Sequence, residues 1–209
     1  MNISGHTGPE HCSLVFLMAG RSHRFGRTKA FLRYNANLTF MQKLLGEYLV
    51  AGIKDMVLVI NESISNETES LLRETPAAEH VKVLVNRNPD AGKLSSVQLG
   101  LNAVKQGHMV FLQNADNPFT GHPLLKQMMH AVRDGEYAIP VFRDRKGHPL
   151  LLSPAMIRKV MLENDMDTSL KSLLPPEAMV AVITEEEGVL ANINTEADYH
   201  KYFPHAYCT

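Results

Sequence analysis

The chain has 209 residues, of which 44% are apolar and 21% charged, with a formal charge of −1. This length supports one good core and is short for two, so a single domain spanning 1–209 is expected. So small a charge excludes a global field for nucleic acid or an anionic membrane, and any anion must be bound locally.

Taken in chain order, short apolar runs predict strands at Ser13–Met18, Met56–Ile60, Val81–Val85 and Met109–Gln113. Between them, apolar residues recur at three- and four-residue spacing, as in Phe40, Leu44, Leu45, Tyr48 and Leu49. That period predicts helices at Leu38–Ala51, from a cap at Asn61 through Arg73, at Leu94–Lys105 and at His122–Arg133. Alternating strands and helices argue for an α/β fold, a Rossmann-like doubly wound, mostly parallel sheet with helices on both faces. The second half departs from this rhythm. Tyr137–Phe142 and Pro149–Leu152 predict two strands flanking a polar turn from Arg143 to Gly147. Helices are expected at Pro154–Glu163, Thr168–Leu173 and Glu196–Tyr202, with short strands at Val180–Ile183 and Val189–Ile193.

Ligands of open α/β sheets bind beyond the carboxyl ends of the strands, so the residues just after each apolar run matter most. After the first run, Leu14–Lys29 reads LVFLMAGRSHRFGRTK. No acidic residue lies between Glu10 and Glu47, while Arg21, Arg24, Arg27 and Lys29 fall within nine positions. A turn containing Gly20 and Gly26 beside fixed cations suits a polyphosphate. The spacing fits neither a Walker loop nor the dinucleotide fingerprint.

After the third run, Gly92, Ser95, Ser96 and Gly100 form a small-residue turn feeding a helix, with Lys93 as a further cation. Ser95 or Asp90 could equally cap that helix. After the fourth run, Asp116 and Pro118 place a carboxylate in a rigid turn, which suits a hard metal ion. Two cysteines make no disulfide framework, and the scattered histidines include no helical H-x-x-x-H pair. No apolar stretch approaches the roughly 20 residues that span a bilayer. No basic region precedes the first apolar run, so a signal peptide is not expected and a cytoplasmic protein is.

The first segment resembles the signature L-A-A-G-x-S-x-R-(M/F)-G-x-x-K of the MobA-like nucleotidyltransferases. Gly20, Ser22, Arg24, Phe25, Gly26 and Lys29 fall in register, with Met18 replacing an alanine. Further resemblances follow in order. Asn88-Pro89 through Leu101 is similar to the family's stretch along the nucleotide, one residue shorter between Pro and Gly. Asp116-Asn117-Pro118 is similar to its G-D-x-P turn, and Asn192-Ile193-Asn194-Thr195 to its (D/N)-I-(D/N)-T. Gly147-His148-Pro149 resembles the G-H-P of the molybdopterin cytidylyltransferase branch.

The resemblance implies a magnesium-dependent enzyme that moves a nucleoside monophosphate from an NTP onto a small phosphorylated acceptor. Within the branch, CTP is favoured over GTP and molybdopterin (molybdenum cofactor) is the acceptor. It implies nucleotide contacts from Ala19, Gly20, Arg21, Ser22, Arg24, Gly26, Lys29, Gly92, Ser95 and Ser96. Arg24, Lys29 and Asp116 would carry catalysis, Asp116 and Asn192 would hold Mg2+, and Gly147, His148 and Pro149 would face the acceptor. Lys29 is expected to be exposed in an open site. Neither nucleic acid nor membrane is an expected partner, and a monomer or small homo-oligomer is expected. The family's arginine before the short helix at Thr168 has no counterpart, Lys171 being the nearest cation. Alternatives are a sugar-phosphate or other small-phosphate nucleotidyltransferase, and an inactive nucleotide-binding regulator.

Overall fold

The computed structural model describes residues 8–20 and 28–204. Four apolar runs form parallel strands: β1 (Cys12–Leu17), β2 (Met56–Ile60), β3 (Val81–Val85) and β4 (Met109–Asn114). Their order is β3-β2-β1-β4, with β1 in register against both β2 and β4. Strands buried on both faces read as unbroken apolar runs, and every residue of β2 is buried.

Successive side chains of a strand point to opposite faces, so each run feeds two cores. Leu14 and Phe16 of β1 join one core with Leu44, Leu45 and Tyr48 of α1 (Phe40–Val50) and Met128 of α4 (His122–Ala131). Val15 joins the other, with Val97 of α3 (Lys93–Leu101) and Val160 of α5 (Pro154–Met161). The remaining helix of the first half, α2 (Ser65–Arg73), adds Leu72 to the first core. Helices therefore cover both faces of the sheet. At Gly100, α3 comes so close to the sheet that a Cβ would meet Val15 Cγ1 at 2.3 Å. Only glycine permits that approach.

The second half extends the same sheet with mixed polarity. Strand β5 (Tyr137–Phe142) turns at Arg143-Asp144 into β6 (Arg145–Lys146), and β7 (Leu150–Leu152) runs antiparallel between β4 and β5. Both turn residues have positive φ, 44° and 63°, the left-handed pair that a two-residue hairpin needs. The expected five-residue turn is therefore two features: a tight hairpin, then a break at Gly147-His148-Pro149 before β7. The His148–Pro149 peptide is cis. Strand β8 (Met179–Ile183) adds parallel to β5. The short α6 (Leu170–Leu173) precedes β8 in the chain, and the closing α7 (Glu196–Tyr202) follows it.

Three expectations need correction. Val189–Ile193 is not a strand: Glu187–Leu190 is a 3-10 turn, leading into an irregular stretch. Asn117 provides the reason, since its buried amide donates to Val189 O at 3.1 Å and to Ala191 O. Those carbonyls are thus satisfied outside any ladder. Asn61 does not cap α2; its amide reaches Ala19 O at 3.2 Å and braces the loop after β1. Finally, α3 is capped by neither Ser95 nor Asp90, because it begins at Gly92 with no side-chain cap.

Candidate functional site

The carboxyl ends of β1 and β4 lie side by side, with Leu17 paired to Asn114. Above them opens a cavity of about 320 Å³ whose walls include Ala19, Gly20, Lys29, Lys93, Ser96 and Asp116. This brings together the first and third motifs, some ninety positions apart in the chain, because parallel neighbours end at the same edge. Gly20 is exposed, and a Cβ there would meet nothing within 4 Å. The described surroundings leave that space free. Arg21, Ser22, Arg24 and Gly26 lie outside the described residues.

Lys29 corrects the expectation of an exposed side chain. It is only 17% exposed, donating to Asn194 Oδ1 at 2.7 Å and standing 3.7 Å from Asp116 Oδ2. Its ammonium is thus held where a carboxylate and an amide converge. Asp116 leaves its other oxygen, Oδ1, buried and without a hydrogen-bond partner among the described residues. An unpaired buried carboxylate oxygen is costly unless a cation or donor arrives to meet it.

The stretch opposite is fixed by backbone. Ile193 N donates to Asp116 O at 2.8 Å, and the Ile193 side chain is fully buried. Its neighbours Asn192 and Asn194 are exposed on either side. Asn192 makes a long bond to Leu190 O at 3.4 Å, while Asn194 engages Lys29. From the sequence, either Asn194 or Thr195 could cap the last helix; the structure gives the cap to Thr195 and turns Asn194 to Lys29. The cap is Thr195, whose hydroxyl accepts from Asp198 N while Asp198 returns a carboxylate to Thr195 N. The Thr195 hydroxyl, then the N–H groups of Asn194 and Thr195, donate to the Asp198 carboxyl and hold it below the usual carboxylate range. The N-I-N-T spacing contained the signal: alternation about a buried isoleucine puts both amides on one side.

A second, larger cavity of about 710 Å³ adjoins the first. It is walled mainly by apolar side chains such as Leu94, Val97, Tyr137, Ile139 and Leu174, with Lys146, Lys171 and His148 among its polar groups. Gly147 earns its place by contact: a Cβ there would meet Val189 O at 2.5 Å, and His148 N donates to that same carbonyl at 2.9 Å. The β6–β7 break and the stretch before Asn192 are therefore locked together. Burial pulls the His148 imidazole below its ordinary value of 6.5; Asp116 opposes that shift and Lys93 assists it. Pro149 is buried behind it.

Gly92 belongs to the second cavity. Its φ is +94°, and a Cβ would meet Met166 O at 2.4 Å, so the 166–171 segment can close over the start of α3. Ser96 lines the first cavity and takes a bond from Asn86 Nδ2 at 2.8 Å. Ser95 lines neither cavity, and its hydroxyl turns back onto Gly92 O at 2.8 Å. No group of three or more His, Cys, Asp or Glu gathers among the described residues. A metal here would rest on few protein ligands.

The sequence model of the MobA-like NTP transferase domain matches residues 14–182, and the chain belongs to that family. Solved structures share its fold. A nucleotidyl transferase from Methanothermobacter (Mth528) superposes with a TM-score of 0.77 at 20% identity, covering 94% of this chain and 97% of the other. Rv0371c of Mycobacterium tuberculosis H37Rv gives 0.72 at 19% identity, covering 93% and 98%. The 4-diphosphocytidyl-2C-methyl-D-erythritol synthase of Anaerococcus prevotii gives 0.72 at 15%, covering 94% and 96%. A further structure of the tuberculosis protein is a complex with manganese. A search of curated proteins finds no significant match. No described helix is long and apolar enough to cross a membrane.

Proposed function

We propose that this protein transfers CMP from CTP to a small phosphorylated acceptor, with molybdopterin as the first candidate, releasing pyrophosphate. One observation carries the reading: Lys29 and the half-satisfied Asp116 share a cavity at the strand ends, and that cavity adjoins a second one bearing His148. One chamber for a donor beside one for an acceptor is what group transfer requires.

In this reading an acceptor phosphate oxygen attacks the α-phosphorus, the bond to the bridging α–β oxygen breaks, and pyrophosphate leaves. Both reactants are anionic, so positioning and charge neutralisation do most of the work. Lys29 holds the triphosphate, joined by Arg24, with Arg21, Ser22 and Gly26 contributing on sequence grounds. Ala19, Gly20 and Ser96 wall the nucleotide, and Gly92 and Ser95 shape the turn behind it. Gly147, His148 and Pro149 face the acceptor, His148 being neutral near pH 7 because burial disfavours its cation.

The residues fit a hard divalent ion such as Mg2+. The unpartnered Asp116 Oδ1 is the donor type it prefers, and the amide of Asn192 or Asn194 could add another. Bound there, the ion would supply positive charge for the α-phosphate. The manganese complex of Rv0371c supports a divalent ion on this fold, and the Anaerococcus synthase supports a cytidyl product on it.

Calorimetric titration of CTP and GTP, with and without Mg2+, tests the donor. Mg2+-dependent binding that prefers CTP is expected, and a preference for GTP would overturn the CTP assignment. Pyrophosphate release with molybdopterin and with sugar or alcohol phosphates then tests the acceptor. Nucleotide binding without release from any acceptor would favour a regulator over an enzyme.

A further inference from the structure

Among the described residues, Lys93 alone lines both cavities. Lys29 belongs to the first only, while Lys146 and Lys171 belong to the second only. Lys93 is exposed, and no hydrogen bond or ion pair with a described residue engages its ammonium. It is also the first residue of α3, which follows a glycine with no side-chain cap. A cation in the first turn opposes the helix dipole. Neither packing nor capping accounts for a lysine in this position.

We infer that Lys93 is the phosphate-binding residue of the acceptor, holding its phosphate at the boundary of the two cavities, beside the α-phosphate of the nucleotide. The inference rests on the transfer reading above and adds an acceptor residue to it. Three observations converge on this role. The seam is where two like-charged phosphates must meet, and a cation there relieves their repulsion as they approach. The cavity beyond Lys93 is largely apolar, so its acceptor carries an apolar or aromatic body on a phosphate monoester rather than an open polyol. Gly92 holds the lysine in register, because its positive φ and its contact with Met166 O tie the start of α3 to the wall of that cavity.

Phenyl phosphate, the smallest aromatic phosphate monoester, is a suitable probe. It would be titrated into the protein saturated with Mg2+ and α,β-methylene-CTP, which cannot turn over. The wild type should bind it. Lys93→Ala should weaken phenyl phosphate by about tenfold or more, the loss of one charge-assisted bond. The same variant should keep its affinity for α,β-methylene-CTP within about twofold, and Lys93→Arg should restore most of the phenyl phosphate binding. Benzyl alcohol, which lacks the phosphate, should bind both proteins alike. Equal loss of nucleotide and phenyl phosphate would assign Lys93 to the triphosphate and overturn the inference. So would no loss at all, or a wild type that binds nucleotide but not phenyl phosphate. A wild type that binds no nucleotide would instead sink the transfer reading itself. Because Lys93 is exposed, an unchanged melting temperature in each variant separates these outcomes from misfolding.

Discussion

The two ends of the sheet carry polar groups in opposite states. At the amino ends, Ser13 is fully buried at the start of β1, donating to Asp55 Oδ2 at 2.5 Å and meeting His108 Nδ1 at 2.9 Å. Asp55 also accepts from Lys105 N at 2.9 Å, so the serine, histidine and carboxylate close on one another. At the carboxyl ends, Asp116 Oδ1 is buried without a partner among the described residues, and Lys93 engages no described group. A serine, a histidine and an aspartate together invite comparison with a nucleophilic triad. Here the carboxylate binds the serine instead of orienting the histidine, which is a cross-link and not a relay. Satisfied polar groups stabilise a fold, whereas an unpartnered carboxylate oxygen in the wall of a cavity is positioned to meet a ligand.

The comparison can be broken from either side. Asp116→Asn should have the largest effect, lowering the rate of pyrophosphate release about a hundredfold or more, as for loss of one preorganised charged group. Its melting temperature should change little, since the amide keeps the carboxylate's shape and only a partly exposed pairing with Lys29 is lost. A melting temperature that drops by several degrees would place Asp116 among the structural groups instead. Asp55→Ala should do the reverse, costing about 1–3 kcal/mol in urea unfolding by removing the carboxylate that accepts from both the buried Ser13 hydroxyl and Lys105 N. Its turnover should not change, and a matching loss of turnover would erase the distinction between the two ends.

Acid should weaken both ends. Burial holds His148 and His108 below their ordinary value of 6.5, so below that pH the unfolded chain binds more protons than the folded one. Stability is complete above 6.5 and is lost as pH falls through the lowered folded values. His148→Gln and His108→Gln should each flatten the pH dependence of unfolding just below pH 6.5. A slope that neither variant changes would assign the acid sensitivity elsewhere. The smallest effect should come from Thr195→Ala, which breaks the capping box of α7 and costs about 1 kcal/mol. The same box positions Asn194, so the variant should also loosen nucleotide binding slightly in the calorimetric titration.

Much of the fold was legible because each element satisfies a local rule. The runs at β1, β2, β3 and β4 are apolar throughout, and α1, α4 and α7 keep helical spacing. The elements that misled depend on distant partners. Val189–Ile193 has the composition of a strand, but Asn117, some seventy residues away, claims its carbonyls. Asn61 looks like a cap and instead braces Ala19, across a loop it does not adjoin in sequence. The antiparallel β7 follows from the break at Gly147, where the reason for glycine is Val189 O.

The site divides in the same way. Lys29, Asp116 and Ser96, singled out from the chain by motif spacing and strand ends, do line one cavity, while Gly92, placed with them, lines the other. Lys93 was legible only as a further cation and Asn194 only as a candidate cap, since the contact of Asn194 with Lys29 and the place of Lys93 between two cavities depend on distant residues. By itself, the amino-acid sequence determined a doubly wound α/β protein of the MobA-like kind, with its candidate site at the carboxyl ends of the strands. Periodicity and turn residues act over a few positions, and that is enough to set element type and edge. Only the tertiary structure decided which polar groups are paired, which glycines are forced by contact and which cation stands between two chambers. Those outcomes follow from packing between residues far apart in the chain, where burial sets the cost of an unmet charge.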